Sequence, residues 1–572
     1  MSRRTRCGLL AACMLFSLLS GCGAKETQQS AASSAFGVTP DSTAETDSAV
    51  EAQTASAAGV MTMPYNGSYG WDPYSCKSME NQAVMQLIYQ GLFTLTPAYD
   101  AEPVLCEDYS VSDDGLTYTI TLKNAYFSNG AALTASDVVY SFAQAAASEL
   151  YQGRFGDISS YEAASEDTVV IHMSDPNDRL PCLLNFPIIP NLSTPSSAPA
   201  GTGPFIRTGE TLVLDQNWWQ GADTVQFQKV MLYSSASAED TRDKFEIGAV
   251  DFVYNDPLAS TAAAFHCDYE LWNSPNAVMQ YIGFNTNGGL CIYKEIRTAI
   301  IRAIDRSSIA ESVYHNFADP AALPVPVVSS LYDEALAQNY AYDAESALEQ
   351  LLDSSAFSLP EDDPRLTGGP GAQRNVKDTD TADSTLEDTP AETAAPDTTT
   401  TTDGDDEADA YETLLVPDTT YNPLTMIVLA GNLGRYSAAK QAAEYLTDVG
   451  FSVTIKTLDE DQFLYALNAG NYDLFYADVS LSPDLDLRSL LLPGGDLNYG
   501  LLQTDSTLET LFDRSQENSG NRYDLYQYIM DQGYICPILF ENNAVFATRG
   551  VISGLNPAPG NLFYQVENIS VQ

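Results

Sequence analysis

The chain has 572 residues, too many for one simple hydrophobic core, so two or three lobes are expected. Its 77 acidic and 26 basic residues give a formal net charge of −51. This excess of acid argues against nucleic acid or an anionic membrane surface as a direct partner, because both attract clustered Lys and Arg.

The first 22 residues have the pattern of an export signal. Three arginines precede an apolar segment from Leu9 to Leu19, which is too short to span a bilayer. The segment ends in Leu19-Ser20-Gly21-Cys22, which resembles a bacterial lipobox and implies lipid attachment to Cys22 after cleavage. The alternative is an ordinary secretory signal with an incidental cysteine. No other apolar run is long enough for a second membrane span.

Two stretches have the composition of unfolded chain. Residues 23–57 contain almost no large apolar side chains and are interpreted as a flexible tether. Residues from about 361 to 410 contain fifteen acidic and three basic residues and are interpreted as a disordered, solvated insertion. Its acidic pieces lack the glycine and glutamate positions of an EF-hand loop.

Six cysteines lie outside the export signal in an oxidising-side protein. None forms a CxxC pair, so a zinc ribbon is not indicated, and disulfides and buried free thiols both remain open. They are Cys76, Cys106, Cys182, Cys267, Cys291 and Cys536.

The N-terminal half shows clear local signals. Asp113-Asp114-Gly115 predicts a hairpin turn, and the alternation in Tyr118–Leu122 predicts a half-buried strand. The Thr134 and Asp137 pair has capping-box spacing and predicts the start of a helix. Apolar residues from Ile296 to Ala303 recur at helical spacing, and Ser308 with Glu311 is expected to cap the helix that follows.

The C-terminal half predicts a parallel α/β unit. Strands are expected at 426–429, 451–455 and 472–476, and helices at 437–449 and 462–468, with Gly450 ending the first helix. Ligands of such sheets gather at the carboxyl ends of the strands. Residues 431–434 lie at one such end, and because they lack a GxGxxG pattern they are interpreted as a plain loop.

Catalytic signatures are absent from the sequence. There is no GxSxG elbow, GxxxxGK[ST] loop or HExxH motif. The three histidines are far apart in sequence, and no local pattern singles out a pair of carboxylates for hydrolysis. We therefore expect a binding protein without cofactor or metal, and not an enzyme.

A series of motifs resembles the bacterial extracellular solute-binding proteins of family 5, the peptide/nickel-binding receptors of ABC importers. The segments occur in family order: Trp71-Asp72-Pro73-Tyr74, Leu87–Phe93, Asp114–Thr119, Phe127–Val139, Gly201-Thr202-Gly203-Pro204-Phe205, Asn217–Gly221, Gly283-Phe284-Asn285-Thr286, Ile296–Ile309 and the unit from 425 to 490. The resemblance covers about residues 58–360 and 411–572 and excludes the acidic insertion.

The resemblance implies an α/β clamp of two lobes, like a periplasmic binding protein with a third subdomain and with mixed sheets flanked by helices. Lobe I is expected to contain residues 58–275 and 536–572, with a subdomain at about 86–200. Lobe II is expected to contain residues 276–535. Closure of the lobes on a ligand would be a population shift between open and closed states.

The resemblance also implies a ligand contact. In peptide-binding members an aspartate of the corresponding segment pairs with the ligand's α-ammonium group, and here that segment reads Phe475-Tyr476-Ala477-Asp478. Asp478 is therefore the predicted ammonium partner, with Phe475 beside it. Asn66 and Tyr69 are predicted to line the cleft wall, whereas Trp71 is expected in the core.

The predicted function is that of a monomeric, lipid-anchored receptor on the outer face of the cytoplasmic membrane, or in the periplasm. It would capture di- or oligopeptides and deliver them to ABC permease subunits. Alternatives are another solute on the same fold, such as a nickel chelate, an oligosaccharide or an opine, or a surface sensor or adhesin without transport. A hydrolase is the third class.

Overall fold

The computed structural model describes residues 59–151, 153–259, 264–368, 421–498 and 504–572. The predicted export signal, Cys22 and the tether lie outside the described residues, as does residue 369 onward of the predicted insertion.

The described chain folds into nineteen strands and fourteen α-helices. The strands are β1 Val60–Tyr65, β2 Phe93–Leu95, β3 Ala101–Pro103, β4 Cys106–Val111, β5 Thr117–Leu122, β6 Ile158–Ala163, β7 Thr168–Met173, β8 Phe205–Thr208, β9 Thr211–Leu214, β10 Lys229–Ser234, β11 Phe252–Asn255, β12 Tyr269–Phe284, β13 Ala318–Pro320, β14 Pro423–Leu429, β15 Ser452–Leu458, β16 Leu474–Ser480, β17 Ile535–Thr548, β18 Ile552–Ser553 and β19 Ser570–Val571. The helices are α1 Met79–Met85, α2 Ala135–Ala146, α3 Leu180–Leu183, α4 Ala238–Glu246, α5 Lys294–Ala303, α6 Arg306–Ser312, α7 Glu334–Ala337, α8 Ala344–Asp353, α9 Arg365–Gly368, α10 Leu433–Asp448, α11 Glu460–Ala469, α12 Arg488–Leu491, α13 Ser506–Glu517 and α14 Arg522–Gln532.

Lobe I is built on two four-stranded sheets. One has the strand order β1-β10-β9-β8, and the other, in the subdomain, has the order β4-β5-β7-β6. A single apolar cluster joins both sheets and includes residues from Met61 to Phe252 together with residues from Val545 to Val571. The C-terminal end of the chain therefore returns to the lobe in which the described chain begins.

Lobe II is built on a seven-stranded sheet of order β11-β17-β12-β16-β14-β15, to which β13 adds by pairing with β17. Strand β14 pairs in parallel with both β15 and β16, so the predicted strand–helix–strand–helix–strand unit is confirmed. Its helices α10 and α11 bury alanines and large apolar residues against the sheet. Gly450 follows α10 with a φ of +107°, as a helix-ending glycine does.

Two long strands connect the lobes. Strand β12 has 16 residues and β17 has 14, and they pair antiparallel along most of their length. Met279, Tyr281, Ile282 and Phe284 belong to the lobe II core, whereas Val545 and Ala547 belong to the lobe I core. The pairing register shifts between Pro275 and Met279, where the strands pass from one core to the other.

Most local predictions in the N-terminal half are confirmed. Gly115 has a φ of +73° in the turn between β4 and β5, and β5 alternates buried and half-buried residues. The backbone amide of Thr134 donates to the Asp137 carboxylate at 2.8 Å, which completes the predicted capping box of α2.

Two local predictions were wrong. Helix α6 is capped by Asp305, whose carboxylate accepts from the Ser308 amide at 3.1 Å, so Ser308 lies inside the helix. Residues 431–434 are not a plain loop, because Asn432 caps α10 by accepting from the Arg435 amide at 2.9 Å. Asparagine and aspartate favour both turns and N-caps, so sequence alone leaves the choice open.

The predicted start of the insertion, at about residue 361, also differs from the structure. Residues 361–368 are part of the folded structure, since α9 lies in this segment and Arg365 donates to the Thr447 carbonyl at 2.8 Å.

All six cysteines outside the export signal are free thiols, and all but Cys267 are buried. In the described ranges, no helix is long and apolar enough to cross a membrane.

Candidate functional site

A row of polar side chains crosses three adjacent strands where the lobes join. Gln280 on β12 lies directly opposite Asp478 on β16, so both side chains are on the same face of the sheet. On the other side, the Gln280 amide donates to the Glu541 carboxylate of β17 at 2.5 Å. Asp478, Gln280 and Glu541 therefore form a continuous row, called here the crossover row.

Two buried tyrosines fix the central member of the crossover row. The hydroxyl groups of Tyr314 and Tyr476 donate to the Gln280 side-chain oxygen at 2.6 and 2.9 Å. With its oxygen occupied twice, Gln280 must present its amide hydrogens to Glu541. The orientation of this glutamine is thus determined by packing before any ligand arrives.

Asp478 has a partner within the chain. The Arg435 guanidinium from the first turn of α10 reaches its carboxylate at 2.6 Å. The arginine side chain is 8% exposed and the aspartate side chain is 32% exposed, so only the carboxylate is open to an incoming group. The Arg435 Nε is buried without a hydrogen-bond acceptor, which leaves this pair incompletely satisfied.

The other acids of this region have altered proton affinity. Burial raises the pKa of Glu541 to about 7, the Gln280 hydrogen bond opposes this, and the negative charge of Asp478 adds to it. Burial also raises the pKa of Asp256, which follows β11 and acts electrostatically on Glu541. The negative charges of Asp478 and Asp256 thus act on Glu541 together with the positive charge of Arg435, and this excess of carboxylates favours a cationic group as the missing partner.

Glu541→Gln is expected to stabilise the ligand-free protein at pH 8. Because the folded-state pKa of Glu541 is above the value of about 4.3 in unfolded chains, the wild type loses stability as pH rises from 4.3 through 7. The glutamine side chain of the variant does not ionise, so the variant does not lose this stability as pH rises. The melting temperature of the variant should therefore exceed that of the wild type at pH 8, with the difference vanishing near pH 4.5.

The exposed Glu444 on α10 provides the control for this measurement. A Glu444→Gln variant makes the same acid-to-amide change at an exposed position of lobe II. A Glu541→Gln difference that is constant from pH 4.5 to 8 would contradict the assigned ionisation.

The other predicted site residues lie elsewhere. Phe475 is three positions from Asp478 on β16 and therefore points to the opposite face of the sheet. It is 2% exposed and packs edge-on against Tyr281 and Tyr472, so it belongs to the core. We accordingly leave Phe475 out of the proposed ligand contacts.

Asn66 and Tyr69 lie in the loop after β1 in lobe I. The Asn66 backbone amide donates to the Asn81 side chain at 2.8 Å, and Tyr69 is 38% exposed. Trp71, expected in the core, is half-buried, with the Arg207 guanidinium 4.3 Å from its ring centre. This loop stays a candidate cleft wall.

Sequence reasoning missed Arg435, Gln280 and Glu541. A usable signal existed for one of them: Glu541-Asn542-Asn543 interrupts the apolar run of β17, and a polar triplet inside a core strand indicates a site. The other two had no local signal, because Arg435 lies in an ordinary helix turn and Gln280 in a mixed strand. Of the residues described, no three His, Cys, Asp or Glu side chains are arranged to hold a metal ion.

The chain matches the family model of bacterial extracellular solute-binding proteins, family 5, over residues 100–495. Among curated relatives, it is 28% identical over 307 residues to the glutathione-binding protein GsiB of Salmonella typhimurium. That match covers 50% of this chain and 59% of the relative, so the chain spans about three fifths of the length of this relative.

Solved structures share the fold. The periplasmic murein tripeptide-binding protein MppA in its unliganded open form has a TM-score of 0.68 at 15% identity, covering 90% of this chain and 97% of its own. NikZ from Campylobacter jejuni, in complex with Ni(L-His), has a TM-score of 0.54 at 17% identity, covering 90% and 99%. The fold is that of the two-lobed binding proteins, as predicted. With its family model matched over residues 100–495, the chain belongs to the bacterial extracellular solute-binding proteins of family 5.

Proposed function

We propose that this protein is the substrate receptor of an ABC importer and that it captures short peptides between its lobes. The observation that carries the proposal is the crossover row at the junction of the lobes, whose two carboxylates, Asp478 and Glu541, have Asp256 nearby and Arg435 paired to Asp478. A relative that binds glutathione and a structural neighbour that binds a murein tripeptide both support a peptide-like ligand.

In this proposal Asp478 receives the α-ammonium group of the peptide. Its carboxylate has two oxygens, and the Arg435 guanidinium occupies one of them, Oδ1. An ammonium group bound at the exposed side would form a charge-assisted hydrogen bond and would add a second positive charge to the acid-rich row. Arg435 then acts as a positioning residue, because it holds the carboxylate in one orientation.

Lobe closure would follow from contacts that both lobes make to one peptide. The strands β12 and β17 are continuous through both lobes, so a change of backbone angles near the register shift can rotate one lobe against the other. A ligand favours the closed state only by as much as it binds that state more tightly. The closed receptor would then dock on the permease, held near the membrane by a lipid on Cys22.

A thermal-shift screen of di- to octapeptides tests the proposal. A ligand present at 100 times its Kd stabilises the native state by about 2.7 kcal/mol, which corresponds to a rise of about 2 °C in Tm for a chain of this length. N-acetylated versions of the same peptides are the matched control, because they lack the ammonium group. The nickel–histidine chelate is the competing arm, and a shift with it but with no peptide would overturn the peptide assignment.

A further inference from the structure

Strand β12 passes from one lobe core to the other through a bulge. Its pairing with β17 stops at Pro275 and resumes at Met279. In that interval β12 has the residues 276–278, whereas β17 has only Glu541. The extra residues interrupt the pairing of β12 with β17 at the level where the chain changes lobe.

The middle residue of the bulge has a strained backbone. Ala277 has a φ of +58°, in the left-handed region, where the Cβ of an L-residue comes too close to a carbonyl oxygen. Glycine has no Cβ and adopts this region freely, whereas alanine adopts it at a cost. Ala277 is buried in the lobe II core, so the packing around it must hold this conformation.

Hydrogen bonds from three segments hold the bulge in place. The Asn276 side-chain oxygen accepts from the Val278 amide at 3.0 Å, which closes a turn around Ala277. The Asn276 side-chain amide donates to the Asn543 side-chain oxygen of β17 at 3.3 Å. The Ala277 carbonyl accepts from the amide of Leu481, which follows β16, at 3.0 Å.

These hydrogen bonds connect the bulge to both lobes. The Asn543 amide also donates to the Tyr254 hydroxyl at 2.7 Å, and the Tyr254 side chain packs against the lobe I core. Leu481 belongs to the lobe II core. A rotation of one lobe against the other therefore changes the contacts that fix the backbone at Ala277.

Strand β17 passes between the lobes without comparable strain. Every residue of β17 is described, and none from Ile535 to Thr548 has a positive φ. The backbone strain of the two connecting strands is therefore concentrated in the bulge of β12.

We propose that rotation of the lobes carries Ala277 out of the left-handed region, so that its methyl group disfavours the lobe arrangement described here. The strain favours the alternative arrangement, whereas the hydrogen bonds of Asn276 and Leu481 favour the present one. When these two effects nearly balance, the differential affinity of a ligand is enough to change the arrangement. This inference rests on the lobe closure of the proposed function, whichever solute drives it.

The Ala277→Gly variant of the full chain tests this inference. Glycine removes the cost of the left-handed conformation, so the ratio of the described to the alternative arrangement should rise about fivefold. The radius of gyration of the ligand-free protein is measured by small-angle X-ray scattering, and the Kd for tetra-alanine is measured by calorimetry. Both depend on this ratio and should change together. A variant whose size moves away from that of the tetra-alanine-saturated protein must bind more weakly, and one that moves toward it must bind more tightly.

Two further variants are the controls. Ala198→Gly makes the same change at an alanine with a φ of +51° in the lobe I subdomain, so it should keep the wild-type radius of gyration and Kd. Asn276→Ala removes the hydrogen bonds that hold the bulge and should shift both quantities in the direction opposite to Ala277→Gly.

The outcomes separate this inference from the peptide function. If Ala277→Gly has the same radius of gyration and the same Kd as Ala198→Gly, the role of Ala277 is overturned and the peptide function stands. If tetra-alanine does not bind the wild type, that result counts against the peptide function. The scattering of the ligand-free variants then decides the role of Ala277, and equal radii of gyration overturn it.

Discussion

Asp478→Asn is expected to lower the affinity for a short peptide with a free N-terminus by about 30-fold or more. The substitution keeps the shape of the side chain but removes the charge that a desolvated ammonium group needs, and losing one partner of such a pair costs 2–5 kcal/mol. The affinity is measured by calorimetry on the ligand-free protein at pH 7.

Two controls separate a binding effect from a folding effect. The variant leaves Arg435 without its anionic partner, so its melting temperature is also expected to fall. The double variant Asp478→Asn/Arg435→Gln removes both charges and should recover stability but not affinity. N-acetylated peptides should bind wild type and variant equally, and an unchanged affinity for the free peptide would refute the role of Asp478.

Gly201→Ala is expected to destabilise the protein by about 3 kcal/mol or more, although it lies outside the site. A methyl group at Gly201 would overlap the Ile88 carbonyl oxygen, and one at Gly203 would lie 2.7 Å from the same carbonyl group. Both obstacles are backbone atoms, which cannot rotate away as a side chain could. Thermal unfolding should show a Tm lower by about 2–3 °C or more, because the entropy of unfolding of a chain this long is about 1.2 kcal/mol/K.

Gly70→Ala is the matched control for this prediction. No atom lies within 4 Å of the position of a methyl group at Gly70, so its Tm should stay near that of the wild type. A Gly201→Ala protein as stable as Gly70→Ala would show that the chain at Ile88 can move.

The structure gives Asp478 charged and polar neighbours that its position in the sequence does not show. The sequence indicates a lone carboxylate at a strand end, whereas the structure shows a carboxylate held by Arg435 and joined through Gln280 to Glu541. Since the pKa of Glu541 is near 7, binding of an ammonium group should favour its ionised form and release a proton. Peptide affinity is thereby coupled to pH around neutrality.

The sequence-based predictions that the structure confirms concern interactions between residues close together in the chain. The hairpin at Gly115, the capping box of α2 and the parallel unit from β14 to β16 each depend on residues close in sequence, so patterns of a few residues suffice to predict them. The GTGPF motif is different, because the glycines at 201 and 203 are required by close approach to the backbone of Ile88, which is far away in the sequence. Fold class and family followed from the order of these motifs.

Only the tertiary structure decided which residues share a site. Gln280, Asp478 and Glu541 are separated by 198 and 63 positions, and strand pairing alone makes them neighbours. Phe475, three positions from Asp478, is excluded by the two-residue period of a strand, which the sequence motif does not reveal. Arg488 and Asp157 form an ion pair although 331 positions separate them in the chain, because lobe II packs against the subdomain of lobe I. Sequence patterns report contacts between near neighbours, and a binding site between lobes is made of contacts between residues far apart in the chain.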